Sequence, residues 1–242
     1  MAISREPDGY CPELPRMGTK FPSFKRVRKL QSDAYLQLPR GISHWDNDTE
    51  AAVLRIGYVK PEIISWSPRI IVLHDFLSSE GIESKVRTSS GMFLSSEEKT
   101  YQVVQAIEKR ISVYSQVPIE NGELIQVLRY EKNQYYKPHH DYFSDTFNLK
   151  RGGQRVATML MYLSDNVEGG ETYFPMAGSG KCSCGGKVVD GLSVKPIKGN
   201  AVLFWSMGLD GQSDPSSIHG GCEVMSGVKW SATKWMRQRA TF

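Results

Sequence analysis

No stretch of this 242-residue sequence is apolar over the roughly 18–20 residues that a membrane-crossing helix needs. The start, Met1 to Arg16, lacks the charged-then-apolar pattern of a signal peptide, so the residues by themselves give no route to a membrane or the secretory pathway. No segment repeats, which excludes solenoid and propeller architectures. An excess of one charge is also missing: 30 basic residues stand against 26 acidic ones, a net of +4. Lys20, Lys25, Arg26, Arg28 and Lys29 form one basic cluster, read as part of a solvated flexible tail. The remainder is close to neutral, so no nucleic-acid-binding face is implied. Cysteine is scarce as well. Cys182 and Cys184 sit in a Gly-rich loop with no second Cys or His pair at zinc-finger spacing, which argues against zinc. A disulfide from one of these two to Cys222 is the alternative; Cys11 is the fourth cysteine.

With 40% hydrophobic and 23% charged residues, the chain reads as one globular domain with an appendage. Residues 1–53 are polar, carry Pro7, Pro12, Pro15, Pro22 and Pro39, and show no sustained period; they read as a tail or surface arm. Residues 54–242 read as the domain. Pro61–Trp66 and Arg69–Leu73 are β-branched runs around Ser67-Pro68, predicting two strands. Ser95 followed by Glu98 is a capping box and predicts a helix opening there. Val104, Ile107, Ile111 and Tyr114 give that helix one apolar face, and Pro118 ends it. Beyond it, strands are predicted at Leu124–Arg129, Val156–Leu163, Ala201–Trp205 and Trp230–Met236. Val156–Leu163 is apolar on both faces, as in a strand within a sandwich. The predicted class is α+β, with a double-stranded β-helix (jelly-roll) core and packing helices.

The chemistry concentrates in Tyr136-Lys-Pro-His-His-Asp-Tyr-Phe143. On an extended segment, residues i and i+2 share a side, so His139 and Asp141 project together while His140 and Tyr142 face away. An imidazole with a carboxylate suits iron, and a third ligand must come from elsewhere. His44 and His74 precede the helix; His219 lies in a turn-rich loop leading to a strand. Two histidines and one aspartate on one side, leaving open positions, form the facial triad of non-heme Fe(II) oxygenases. His140 is a rival ligand, but pairing it with Asp141 requires a bend. Ten residues after His219, Lys229 begins a strand in which it shares a face with Ser231, Thr233 and Trp235. A lysine facing a barrel interior is costly unless an anion neutralises it, and a dicarboxylate would do so. Exposure at an edge is the simpler alternative.

His139-x-Asp141, His219 and Lys229, in that order, resemble the iron- and 2-oxoglutarate-dependent dioxygenases. The runs RIGYVKPEIISWSPRIIVLHDFLSSE, ENGELIQVLRYEKNQYYKPHHDYF, GGQRVATMLMYLSDNVEGGETYFP and HGGCEVMSGVKWSATKW narrow the resemblance to plant prolyl 4-hydroxylases of the collagen type. The resemblance implies Fe(II) on His139, Asp141 and His219, and 2-oxoglutarate held by Lys229 with Tyr130 and Thr172 lining its pocket. It places Arg87, Ser89, Glu123, Tyr136, Arg155 and Trp235 along a groove for a proline-rich peptide. The implied reaction uses O2, with L-ascorbate as accessory reductant, and hydroxylates C4 of peptidyl proline in cell-wall glycoproteins. Succinate and CO2 are the by-products. The family also implies residence in the endoplasmic reticulum and Golgi.

Two departures from the family stand out. Between Glu80 and Val86 only Gly81-Ile-Glu-Ser-Lys85 remains where the family carries a helix and a mobile loop, as though an internal segment were absent. The N-terminal anchor usual in plant members is not evident either, which leaves a soluble, cytosolic chain as a second expectation. The first departure motivates an alternative function: an impaired isoform that binds peptide or a partner subunit without turnover. Oligomeric state is not legible from the sequence.

Overall fold

The structure, a computed structural model, describes residues 59–74 and 91–241 together with Leu54 and Phe76. The tail, its basic cluster, Cys11, the shortened Gly81–Lys85 connection, Arg87 and Ser89 lie outside the described residues.

The fold is α+β with a jelly-roll core. Strands β1 (Lys60–Trp66) and β2 (Arg69–His74) form an antiparallel hairpin through Ser67-Pro68, with Trp66 opposite Arg69. A short strand β3 (Gly91–Phe93) precedes helix α1 (Gln102–Ser115). Then come β4 (Gln126–Tyr130), β5 (Tyr136–His139), the short helix α2 (Thr146–Leu149) and β6 (Arg155–Tyr162). Next are β7 (Glu168–Gly169), β8 (Thr172–Phe174), β9 (Lys181–Cys184), β10 (Lys187–Asp190) and β11 (Leu192–Val194). The chain closes with β12 (Ala201–Trp205), β13 (His219–Gly221), β14 (Val224–Ser226) and β15 (Lys229–Arg237). Seven strands pair in the order β1-β2-β12-β6-β15-β4-β3, and four more in the order β11-β8-β13-β5.

Alternation along the central strands divides the core in two. On β12, Ala201 and Leu203 face α1, where they meet Val104, Ile107, Ile111 and Tyr114. Val202 and Phe204 point the other way, into a second cluster with Phe174, Leu192 and Val194 of the smaller sheet. Strand β6 does the same, with Met159 and Met161 on the helix side and Tyr162 on the other. This is why the run around Val156–Leu163 is rich in apolar residues on both faces. At about 25 cal/mol per Å2 of apolar surface, each fully buried Met or Phe contributes roughly 2–3 kcal/mol.

The helix begins later than its capping box predicts. The box forms: the Ser95 hydroxyl accepts the Glu98 amide (3.1 Å) and the Glu98 carboxylate accepts the Ser95 amide (2.7 Å). It closes the turn that leads into a single 3-10 turn, Glu98–Thr100, whose own N-cap is Glu97. Tyr101 is extended (φ −63°, ψ 134°), and α1 starts only at Gln102. The Thr100 hydroxyl donates to the Glu97 carbonyl at 2.6 Å, a local bond that competes with helix continuation. At the far end Gln116 takes a left-handed conformation (φ 60°), two residues before Pro118.

Candidate metal centre

Strands β5 and β13 pair antiparallel, with His139 directly opposite His219. Cross-strand neighbours share a face, and the two imidazoles lie with ring centroids 4.5 Å apart. Although β5 ends at His139, Asp141 still returns to that side. Its Oδ1 is 3.7 Å from His139 Nε2, and its Oδ2 is 3.6 Å from His219 Nε2. The three ligating atoms all lie within 4.8 Å of one another, the spacing of ligands around one small cation. Among the described residues this is the His/Cys/Asp/Glu group so spaced. His140 is not part of it; its ring lies against Tyr142, 4.6 Å between centroids.

Hydrogen bonds behind the three side chains prepare the donors. Nδ1 of His139 bonds the Lys137 carbonyl (2.9 Å), and Nδ1 of His219 bonds the Ser217 carbonyl (3.0 Å). A carbonyl only accepts, so each Nδ1 carries the proton and each Nε2 lone pair is left for a metal. The Thr158 hydroxyl donates to Asp141 Oδ2 at 2.6 Å. Burial pushes the Asp141 carboxyl up, but His219, the Thr158 bond, Arg155 and His139 outweigh it and hold the group below the usual carboxylate range. Burial pushes the His219 imidazole down, against the pull of Asp141, which favours the neutral form that ligates. Two imidazoles and one carboxylate fit a ferrous ion with open coordination positions.

The triad opens onto a cavity of about 320 Å3, walled by β4, β6 and β15. Lys229, Ser231, Thr233 and Trp235 line it from one face of β15, as alternation predicts. Lys229 is 4% exposed, and its ammonium donates to the Gly170 carbonyl at 2.6 Å. The rings of Tyr130 and Tyr162 stand 5.4 and 5.7 Å from it. Burial lowers this lysine to about 8, with Glu171 pulling the other way. Thr172 and Tyr162 share a 2.7 Å hydrogen bond on the same wall. Burial, with Tyr136, raises the Tyr130 phenol to about 12, so its hydroxyl stays protonated and can donate.

At the mouth, Tyr136 stacks on His139 with centroids 3.9 Å apart and is half exposed. Trp235 lies under the Arg155 guanidinium, 4.0 Å away, and faces Phe93 at 6.2 Å. Glu123 and Arg155, expected along the groove, bond each other in bidentate fashion, both contacts at 2.7 Å. Arg237 adds a third contact to Glu123 at 2.7 Å and takes three carbonyls, of Asn148, Arg151 and Gly153. Burial works against the Glu123 charge, yet Arg155 and Arg237 hold its carboxyl below the usual range. The pair therefore props Trp235 in place, since its charges are already satisfied.

Sequence reasoning missed Thr158, Tyr162, Glu171 and Arg237. The first two had a signal: polar groups interrupting an otherwise apolar strand, both on the face that meets the cavity. Of the cysteines, Cys184 and Cys222 form the disulfide, tying the β9–β10 hairpin to the segment after β13. Cys182 is a buried thiol that burial pushes up.

Comparison with known proteins points the same way. A family profile described as the 2OG-Fe(II) oxygenase superfamily matches residues 125–237. Prolyl 4-hydroxylase 1 of Arabidopsis thaliana is 64% identical over 264 aligned positions, covering 99% of this chain and 89% of the relative. The alignment is longer than this 242-residue chain, so the relative has residues without a counterpart here, as expected if an internal segment is absent. Probable prolyl 4-hydroxylase 3 of Arabidopsis thaliana is 48% identical, covering 72% of this chain and 71% of its own. Among solved structures, a viral collagen prolyl hydroxylase from Paramecium Bursaria Chlorella virus-1, in complex with 2OG, superposes with a TM-score of 0.51. It is 26% identical and covers 69% of this chain and 95% of its own.

Proposed function

This chain belongs to the 2OG-Fe(II) oxygenase superfamily and, within it, to the plant prolyl 4-hydroxylases; on that footing we propose that His139, Asp141 and His219 hold the ferrous ion and Lys229 anchors 2-oxoglutarate. The protein is a 2-oxoglutarate-dependent dioxygenase. One observation carries the assignment of roles: the three ligand atoms within 4.8 Å of one another and the buried Lys229 ammonium line the same cavity. Iron with 2-oxoglutarate and O2 supplies the oxidising power that replaces a peptidyl proline C4–H by C4–OH, with release of succinate and CO2.

The residues of the chain bind and orient. Lys229 meets the carboxylate remote from the metal, and Tyr130 and Thr172 flank it. Low local dielectric makes a charged contact there stronger than in water. Thr158 fixes the carboxylate of Asp141, so the third ligand arrives already aimed. Tyr136 and Trp235 present exposed or propped aromatic faces at the mouth, which suit a proline-rich segment in the polyproline II shape. Arg87 and Ser89, outside the described residues, match peptide-groove positions by family likeness alone. A proline held there against the metal is positioned rather than activated.

Hydroxyproline-rich wall glycoproteins are the proposed substrates, L-ascorbate the accessory reductant, and the endoplasmic reticulum and Golgi the proposed site of action. The test is direct. Purified protein is incubated with Fe(II), ascorbate, 2-oxoglutarate and either poly-proline or an extensin-like peptide, and 4-hydroxyproline and succinate are quantified. Proline-dependent formation of both is expected. Folded, iron-loaded protein that binds the peptide yet yields neither product would instead support the impaired isoform.

A further inference from the structure

Next in the chain after Gly170, whose carbonyl holds the Lys229 ammonium, is a carboxylate that the reaction does not use. Glu171 is 4% exposed, although glutamate is seldom buried without partners. Its Oε1 accepts the Ser183 hydroxyl at 3.1 Å, and its Oε2 accepts the Gly185 amide at 3.0 Å. Both donors belong to the β9–β10 hairpin, one on β9 and one in its turn. The backbone of Glu171 holds the other side, its carbonyl accepting the Cys222 amide at 2.8 Å. The neighbouring Gly170 offers its carbonyl to the Lys229 ammonium, and the approach is close: a Cβ there would lie 3.2 Å from Lys229 Cδ. The Gly170–Glu171 step thus touches the hairpin, the segment after the metal strand and the lysine at once.

We propose that Glu171 is a positioning residue of the co-substrate pocket: it latches the β9–β10 hairpin and supplies the countercharge that keeps the Lys229 ammonium in place before 2-oxoglutarate arrives. The proposal rests on the assignment of Lys229 as the 2-oxoglutarate anchor. The groups around the ammonium are the Tyr130 ring from β4, the Tyr162 ring from β6 and the Gly170 carbonyl from the segment entering β8; Glu171, the next residue in the chain and bonded to the hairpin, acts on it only through the field. Of these, Glu171 is the one acidic side chain. Its influence opposes the desolvation that brings Lys229 to about 8. The same carboxylate repels an incoming dicarboxylate, so it weakens binding where the lysine is fully charged and protects binding where the lysine begins to lose its proton.

That opposition gives a signature which loose packing cannot imitate. 2-Oxoglutarate is titrated calorimetrically into anaerobic Fe(II)-loaded protein between pH 6.5 and 9.5. Wild-type affinity should fall as pH rises past about 8. In Glu171→Gln, binding should be several-fold tighter at pH 6.5, and the alkaline fall should begin about one pH unit lower, so the two curves cross. Glu171→Ser, which removes the charge by a second route, should shift the fall in the same direction. Ser183→Ala keeps the charge and loses one latch bond, and its profile should follow wild type. The Cys184–Cys222 disulfide holds the hairpin in each variant. A uniform loss of affinity at every pH in both Glu171 variants, or an unshifted alkaline fall, overturns the proposal. Unchanged binding in Lys229→Ala overturns the lysine assignment beneath it, a separate result.

Discussion

Strand β15 carries two buried lysines on opposite faces, and their surroundings differ in one respect. Lys234, 1% exposed, points toward α1, and its ammonium meets Glu108 Oε1 at 2.5 Å. It is packed so tightly that a Cβ on Gly122 would lie 2.3 Å from its Cε. Lys229, 4% exposed, points into the cavity, where its hydrogen-bond partner is the neutral Gly170 carbonyl. Both ammonium groups are lowered by burial, and in each case a carboxylate pulls back: Glu108 in direct contact, Glu171 through the field alone. On the roles proposed above, a buried lysine bonded to a carboxylate is finished, and one whose countercharge acts only at a distance is waiting for an anion. The proposed ligands His139, Asp141 and His219 line the same cavity as Lys229.

The largest expected effect is at the proposed metal site. His219→Ala or His139→Ala should lower turnover by about 10³-fold or more, since two remaining ligands hold a ferrous ion poorly. Bound iron measured after gel filtration should fall in parallel, while the thermal midpoint of the metal-free protein stays near wild type. Iron bound at wild-type level in both variants would mean that the triad is misassigned.

On the finished side the large effect is on stability. Glu108→Ala strands the Lys234 ammonium without its partner and should cost about 3–5 kcal/mol, read as a lower midpoint in urea. Activity per folded molecule should hold, because nothing on that face reaches the cavity. Of the two lysines, only Lys229 could be read from the sequence. Alternation along β15 put it beside Ser231, Thr233 and Trp235, and a lysine at the head of such a face asks for an anion. Lys234 fell on the opposite face with no visible partner, because Glu108 is 126 residues away on the buried side of α1. Glu108 follows Val104 by four residues and so shares its apolar stripe, a signal that only the folded pairing makes specific. The metal site divides in the same way. His139 and Asp141 follow from local spacing, and His219 was the histidine left after the helix, but the register that sets it opposite His139 is a long-range fact that no local spacing shows. The late start of α1 was hidden because its capping box is genuine but closes an earlier turn.

Lys229→Met should separate stability from function. The folded-state value of about 8 lies below the roughly 10.4 of an unfolded lysine. Between these limits the unfolded chain binds more protons, so wild-type stability gains from this group as pH rises. Below pH 8 the full penalty applies, on the order of 3 kcal/mol, and removing the ammonium should relieve it. Without 2-oxoglutarate, Lys229→Met should therefore unfold at higher urea than wild type at pH 7, with the gap closing toward pH 10. Its 2-oxoglutarate requirement should rise about 10–100-fold, the worth of one charge-assisted contact. A variant less stable than wild type at pH 7 would show that Lys229 already has the partner assigned here to the ligand.

The smallest expected effect is the most specific. Replacing Lys234 and Glu108 together, as Lys234→Met with Glu108→Leu, removes both charges and leaves side chains of similar bulk. Desolvation opposes a buried pair about as strongly as attraction supports it, so the double variant should lie within about 1 kcal/mol of wild type, or above it. Each single change should cost more than the double, giving a coupling energy of a few kcal/mol between the sites. The 2-oxoglutarate requirement should not move. The cavity has no equivalent rescue: pairing Lys229→Met with Glu171→Leu restores charge balance but leaves nothing to meet a dicarboxylate, so turnover stays low however stable the protein becomes. If that second double variant recovered wild-type 2-oxoglutarate affinity, the two lysines would be the same kind of residue, and the distinction between the faces of β15 would fail.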